Sequence, residues 1–215
     1  MGADRQRWRF DGHIAGVGSA SGVRVVVGWW HDTPLGSFAD AMVETARGHR
    51  VLLAPTPDVA RLIAGTYDFD EIRVEPFAAT GDPGRRWRVR SASLRLDLEV
   101  GRRTPLGALL RAVPTPLAGA PAWCALTDPV ARTVLRGVRT RGTTGTAADP
   151  RREWYGALDR RRVTAMSGTF DDAGLGDLRP VLPAPRFGFS STPPTPGVTR
   201  VRTTIEARAN VPLRG

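Results

Sequence analysis

Leu94-Arg95-Leu96-Asp97-Leu98-Glu99-Val100 decides the fold. Successive side chains of a strand point to opposite faces, so Leu94, Leu96, Leu98 and Val100 share one side and Arg95, Asp97 and Glu99 the other. One face is buried and the other wet. That pattern belongs to an antiparallel sheet, because strands of a doubly wound parallel sheet are apolar on both faces.

Working outward, hairpin signals recur. Glu71 to Ala78 and Arg86 to Val100 flank the turn Gly81-Asp-Pro-Gly84. Phe38 to Glu44 and His49 to Ala54 flank Thr45-Ala-Arg-Gly48. Glu153 to Leu158 and Val163 to Phe170 flank the charge run Asp159-Arg-Arg-Arg162, and Arg186 to Ser190 and Val198 to Ala207 flank a proline-rich turn. Glycine, proline and short polar residues supply the backbone angles such turns need. At the N-terminus Trp8, Phe10, Gly12 and Ile14 alternate as in a strand, Gly16 to Gly22 reads as a turn, and Val23 to Trp30 reads as a central strand.

Helical spacing is confined to short pieces. Val59, Leu62 and Ile63 fall at i, i+3, i+4 within Asp58 to Thr66, with Pro57 where a missing N–H costs little. An insert at about 104–141 carries Leu106, Leu109, Leu110 and Val113 on one helix face and a second helix over Asp128 to Leu135. The expectation is a single α+β domain over residues 1–215: a curled antiparallel sheet or barrel of several hairpins, with two or three short helices inserted mid-chain.

Composition bounds the chemistry. All 31 basic residues are arginine, a bias that GC-rich codons produce, and without lysine there is no Schiff-base, P-loop-lysine or Ser-Lys chemistry. Residues 1–100 hold 13 Arg against 13 Asp and Glu, and residues 101–215 hold 18 against 8, so the net charge of +10 lies in the second half. Cys124 stands alone, which excludes an intramolecular disulfide, and its neighbours Trp123 and Ala125 suit a small core residue. No signal-type segment and no apolar run of about 20 residues is present, so the expected location is the cytoplasm.

Most motifs fail on context. Gly16-x-Gly18 lacks the third glycine and precedes a strand, not a helix. Gly18-Ser-Ala-Ser-Gly22 has alanine where a nucleophile elbow needs serine. His13, His31 and His49 match no zinc spacing, and neither metal nor cofactor is expected. Tyr67-Asp-Phe-Asp-Glu71 places three carboxylates together and reads as a wet loop rather than a cation site.

Three functional readings remain. The first is a small, largely apolar ligand, with or without an anionic group, held in a β-barrel cavity. Trp29, Trp30 and His31 would stand at its mouth and Arg88 or Arg90 would pair with the anion. No recognisable catalytic set accompanies these residues, so binding without catalysis is the leading form. The second is a nucleic acid or other polyanion on Arg85, Arg86, Arg136, Arg139, Arg141, Arg160, Arg161 and Arg162, with Trp87 and Trp154 stacking on bases. The third is an enzyme using His31 and Asp32 as acid and base, although neighbours on a strand point apart unless a bulge intervenes. An open sheet edge would be covered by pairing two protomers as a homodimer.

The strand Val23 to Trp30, then Thr33-Pro-Leu-Gly-Ser-Phe38, Asp40, the hairpin through Leu53 and the helix at Asp58 to Thr66 resemble, over about half the chain, the acetoacetate decarboxylase-like group. That resemblance implies a curled antiparallel sheet around an internal cavity. Decarboxylases of that group use a lysine nucleophile, so their activity does not carry over to a chain without lysine.

Overall fold

The computed structural model describes residues 5–114, 117, 120, 123, 141–145, 150–188 and 192–208; for 141–145, 150–151 and 207–208 it describes the backbone path only. In chain order the strands are β1 Arg5–Ser19, β2 Arg24–Asp32, β3 Phe38–Glu44, β4 Arg50–Ala54, β5 Glu71–Val74, β6 Ala78–Asp82, β7 Arg86–Arg90, β8 Leu94–Arg103, β9 Arg141–Gly145, β10 Pro150–Phe170, β11 Ala173–Gly174, β12 Leu178–Arg179 and β13 Gly197–Arg208. The helices are α1 Pro57–Ala64 and α2 Pro105–Ala112.

The strands form a single sheet in the order β5-β4-β3-β2-β1-β13-β10-β8-β7-β6, with β9, β11 and β12 attached at its margins. Every neighbouring pair on that path is antiparallel except β4 and β5. The sheet curls into an open half-barrel. Trp29 on β2 and Trp87 on β7 measure the curl. They are five strands apart, about 24 Å in a flat sheet, yet their rings meet edge-on at 5.1 Å. Inside the curl sits the main core, where Val25, Val27, Val43, Leu53, Trp87, Val89, Leu94, Leu96 and Leu98 are all buried. The alternation of Leu94, Leu96 and Leu98 thus faces inward as its period demands.

Other expectations are corrected. The stretch from Arg86 to Val100 is not one strand. Ser91-Ala92-Ser93 turns it, the Ser91 N–H donating to the Leu94 carbonyl and the Leu94 N–H to Ser91 Oγ, so β7 and β8 pair with each other. The partner of β7 on its other side is β6, while β5 runs parallel to β4. Asp159 to Arg162 do not turn but continue the 21-residue strand β10 through local register shifts. Their charges find partners on both flanks: Arg103 Nε donates to Asp159 Oδ1 at 2.8 Å, and Arg160 reaches Thr199 Oγ1 and the Thr195 carbonyl. Gly16 and Gly18 also lie within a strand, each paired on both sides. Arg186 and Phe187 form no strand, Gly188 makes an isolated bridge to Tyr67, and β13 pairs with β1 and β10 instead of closing a fourth hairpin.

Helix α1 follows from its ends. The Thr56 side chain caps it by accepting from the Val59 N–H, Pro57 opens it, and Gly65 follows its last turn. Val59 and Leu62 are buried against the sheet. In α2 Gly107 is the buried residue and Leu109 is 67% exposed, so the apolar face expected there only grazes the sheet. The expected helix Asp128 to Leu135 and Cys124 lie outside the described residues.

Candidate functional site

Trp29 and Trp30 leave β2 in opposite directions. Trp29 joins the packed interior. Trp30 lies on the other face, among Trp8, Phe10, Leu62 and Ile205. On that side a cavity of about 80 Å³ opens between the sheet and α1. Phe10, Ile14, Val26, Trp30, Phe38, Met42 and Ile205 form its floor, and Leu62, Ile63, Thr66 and Tyr67 form its roof.

Two polar groups are built into this apolar space. Asp40 on β3 is 5% exposed, and Trp30 Nε1 donates to its Oδ1 at 2.9 Å. Gly28 makes that bond possible. It is the cross-strand partner of Asp40, and a Cβ there would lie 2.5 Å from both Asp40 Oδ1 and Trp30 Nε1. Gly12, opposite Trp30, is equally confined, since a Cβ would lie 2.9 Å from Trp30 Cε3. Burial pushes the Asp40 carboxyl up to about 7, with the indole bond opposing in part.

The second group is a chain of hydroxyls ending on Glu153 of β10. Thr66 Oγ1 donates to Glu153 Oε1 at 2.6 Å and Tyr155 OH donates to Oε2 at 2.7 Å. With the Tyr155 proton so directed, Tyr67 OH donates to Tyr155 across 2.9 Å. Burial, then the Glu153 charge, raises both phenols above their ordinary range, so both stay protonated. Beside them Thr203 Oγ1 is buried, lines the cavity and has no hydrogen-bond partner among the described residues.

No protein-family model matches this chain, and no curated protein matches it. One solved structure is similar. It is the enduracididine biosynthesis enzyme MppR complexed with the condensation product of pyruvate and imidazole 4-carboxaldehyde, 11% identical, at a TM-score of 0.33 over 96% of this chain and 88% of that one. The curled antiparallel sheet stands on its own strand pairings, and membership of the acetoacetate decarboxylase-like group is not shown.

The residues singled out in the sequence are divided by this geometry. Trp30 lines the cavity and Trp29 does not. His31 lies on the Trp29 side, its ring 5.1 Å from Trp29, and its Nε2 is 3.1 Å from His13 Nδ1. His13 is lowered to about 4, by burial first and then by His31 and Arg200. His31 is lowered too, again by burial first. The described hydrogen-bonding partner of its ring is thus His13, not Asp32. Arg88 and Arg90 are exposed on β7 and do not line the cavity; Arg90 pairs with Asp97 at 2.8 Å.

Among the arginines of the polyanion reading, Arg85 and Arg162 are exposed. Arg86 pairs with Glu99, Arg161 donates to the Gly101 carbonyl, and Arg160 is buried and bonded inward. Arg141 is described as backbone only, and Arg136 and Arg139 lie outside the described residues. In Tyr67–Glu71, Asp70 pairs with Arg50, and Glu71 with Arg73 and His49. No group of three metal-ligating side chains occurs among the described residues. Nor is any described helix long and apolar enough to cross a membrane.

Asp40, Glu153, Tyr67, Tyr155 and Thr203 were not candidates from sequence. Asp40 alone left a readable signal. In Phe38-Ala39-Asp40-Ala41-Met42-Val43 both faces are apolar, and a carboxylate in such a strand must be buried.

Proposed function

We propose that this protein binds a compact, largely apolar small molecule in the cavity between the sheet and α1, with a polar group of the ligand meeting Asp40 or Thr203. The observation that carries this reading is the buried Thr203 hydroxyl without a partner, in an apolar cavity where Asp40 has one hydrogen bond among the described residues. Burying a hydroxyl unsatisfied costs about 1–3 kcal/mol, and a ligand that bonds to Thr203 recovers part of that cost. An anionic group on the ligand finds no support here. None of the described lining residues is basic, whereas two are carboxylic.

By comparison with an apolar cavity of ~150 Å³ that admits benzene, a space of about 80 Å³ accepts a group of roughly three heavy atoms, the rest of a larger ligand projecting outward. Ligand-observed NMR with fragments of this size tests the reading. Binding is expected to the native protein and to be lost in Ile63→Trp, which fills the cavity from the helix side, with circular dichroism unchanged. Failure of every fragment to bind, or equal binding to Ile63→Trp, sinks it.

A further inference from the structure

We propose that the cavity takes an alkylammonium head group, held among aromatic rings with Asp40 as its counter-ion; this rests on the reading of the cavity as a binding site. Three observations lead there. The first is the wall. Phe10, Trp30, Phe38, Tyr67 and Tyr155 all line the space, with Phe10 edge-on to Trp30 at 6.2 Å and Phe38 tilted to it at 6.3 Å. Ring faces carry negative potential and attract a cation, most strongly where water is excluded, and Trp is the best of them.

The second is charge. Asp40 and Glu153 face the cavity together with the hydroxyls of Thr66, Tyr67, Tyr155 and Thr203, and no arginine or histidine does so among the described residues. An anion would meet two carboxyls and no cation. A neutral apolar group would leave Asp40 further desolvated. An ammonium group supplies N–H donors to the Asp40 carboxylate in a space whose other polar groups are hydroxyls and a second carboxyl. The third is the protonation state. Burial holds the Asp40 carboxyl near 7, because no positive charge of the protein offsets it. A bound cation would supply that offset and draw the proton off.

Propylammonium, 1-propanol and propionate have nearly the same size and differ in charge. Each is titrated at pH 8 into the full chain, with the Trp30 indole N–H resonance, identified by its loss in Trp30→Phe, as the readout. Propylammonium is expected to bind about tenfold or more tighter than propanol, and propionate not at all. Asp40→Asn is expected to bring propylammonium down to the propanol level and leave propanol unchanged. In the native protein, propylammonium affinity should rise about tenfold per pH unit up to about pH 7 and level off above it. That profile tests the proposal independently of how well the variant folds. Propanol or propionate binding as tightly as propylammonium, or a flat pH profile, overturns the ammonium assignment and leaves the cavity reading standing. If none of the three moves the Trp30 resonance, both fail.

Discussion

The two faces of this sheet solve the same problem differently, and the adjacent residues Trp29 and Trp30 sample one each. On the concave face the curl brings β2 against β7, and Trp29, Trp87 and the leucines of β8 fill the space, with the His13 and His31 rings at its end. On the opposite face the covering element is the eight-residue helix α1, too short to fill what it covers, and a cavity with a buried carboxyl remains. The sheet's own curvature covers one face, whereas a separate short element leaves room on the other. The buried Asp40 carboxyl and the Thr203 hydroxyl lie beside that room.

The contrast can be broken most directly at the filled face. Trp87→Ala, at a residue with no exposure, is expected to cost about 3–5 kcal/mol in urea unfolding. Trp30→Ala should cost less than half as much, since one side of that ring borders a cavity. Equal losses would mean that the two faces are packed alike.

Protonation sharpens the comparison, because the faces titrate with opposite sign. Burial raises the Asp40 pKa to about 7 from its ordinary 3.8, so the folded state holds the extra proton between these values. Stability from this group is full below about pH 4, falls as pH rises and is lost above 7. Asp40→Asn should therefore stabilise the protein at pH 8 by on the order of 3 kcal/mol and have little effect at pH 4. A constant difference across that range would refute the assignment.

His13, at the end of the concave face, behaves in the reverse sense. Burial lowers its folded pKa to about 4, below the ordinary imidazole value of 6.5. The unfolded chain takes up the proton first, so stability falls as pH drops from 6.5 towards 4. His13→Gln should remove a loss of roughly 1–2 kcal/mol on acidification, discounted for the group's partial contact with solvent. The smallest effect belongs to Thr203. Thr203→Val exchanges an unpartnered buried hydroxyl for a methyl of the same shape and should raise stability by about 1 kcal/mol or less.

Much of the sheet was legible because its signals are local. Alternation in Leu94–Val100, the cap and spacing around Pro57–Ala64 and the hairpin of β3 and β4 all act within a few residues. The errors share a cause. The charge run Asp159–Arg162 and the glycines at 16 and 18 resemble turns until strands far along the chain, β8 and β13 for one and β13 and β12 for the other, supply their partners. The cavity was half legible. That Trp29 and Trp30 part company follows from strand geometry, but which of them meets the core depends on the direction of curl, set by contacts between β2 and β7. Asp40 was readable as a buried charge. Thr66, Tyr67, Glu153 and Tyr155 were not, because nothing local ties the end of α1 to a strand more than eighty residues later.

The absent side chain at Gly28 has a consequence for inheritance. A methyl group there would occupy the space in which the Trp30 indole meets the Asp40 carboxyl. Mutation at this one position therefore cannot be neutral while both partners are kept. In descendants and cousins of this chain, glycine at 28, tryptophan at 30 and aspartate at 40 should travel as a set, and a lineage that gains alanine at 28 should have surrendered the other two. An alignment of homologues would show this as covariation among three columns spaced two and ten residues apart.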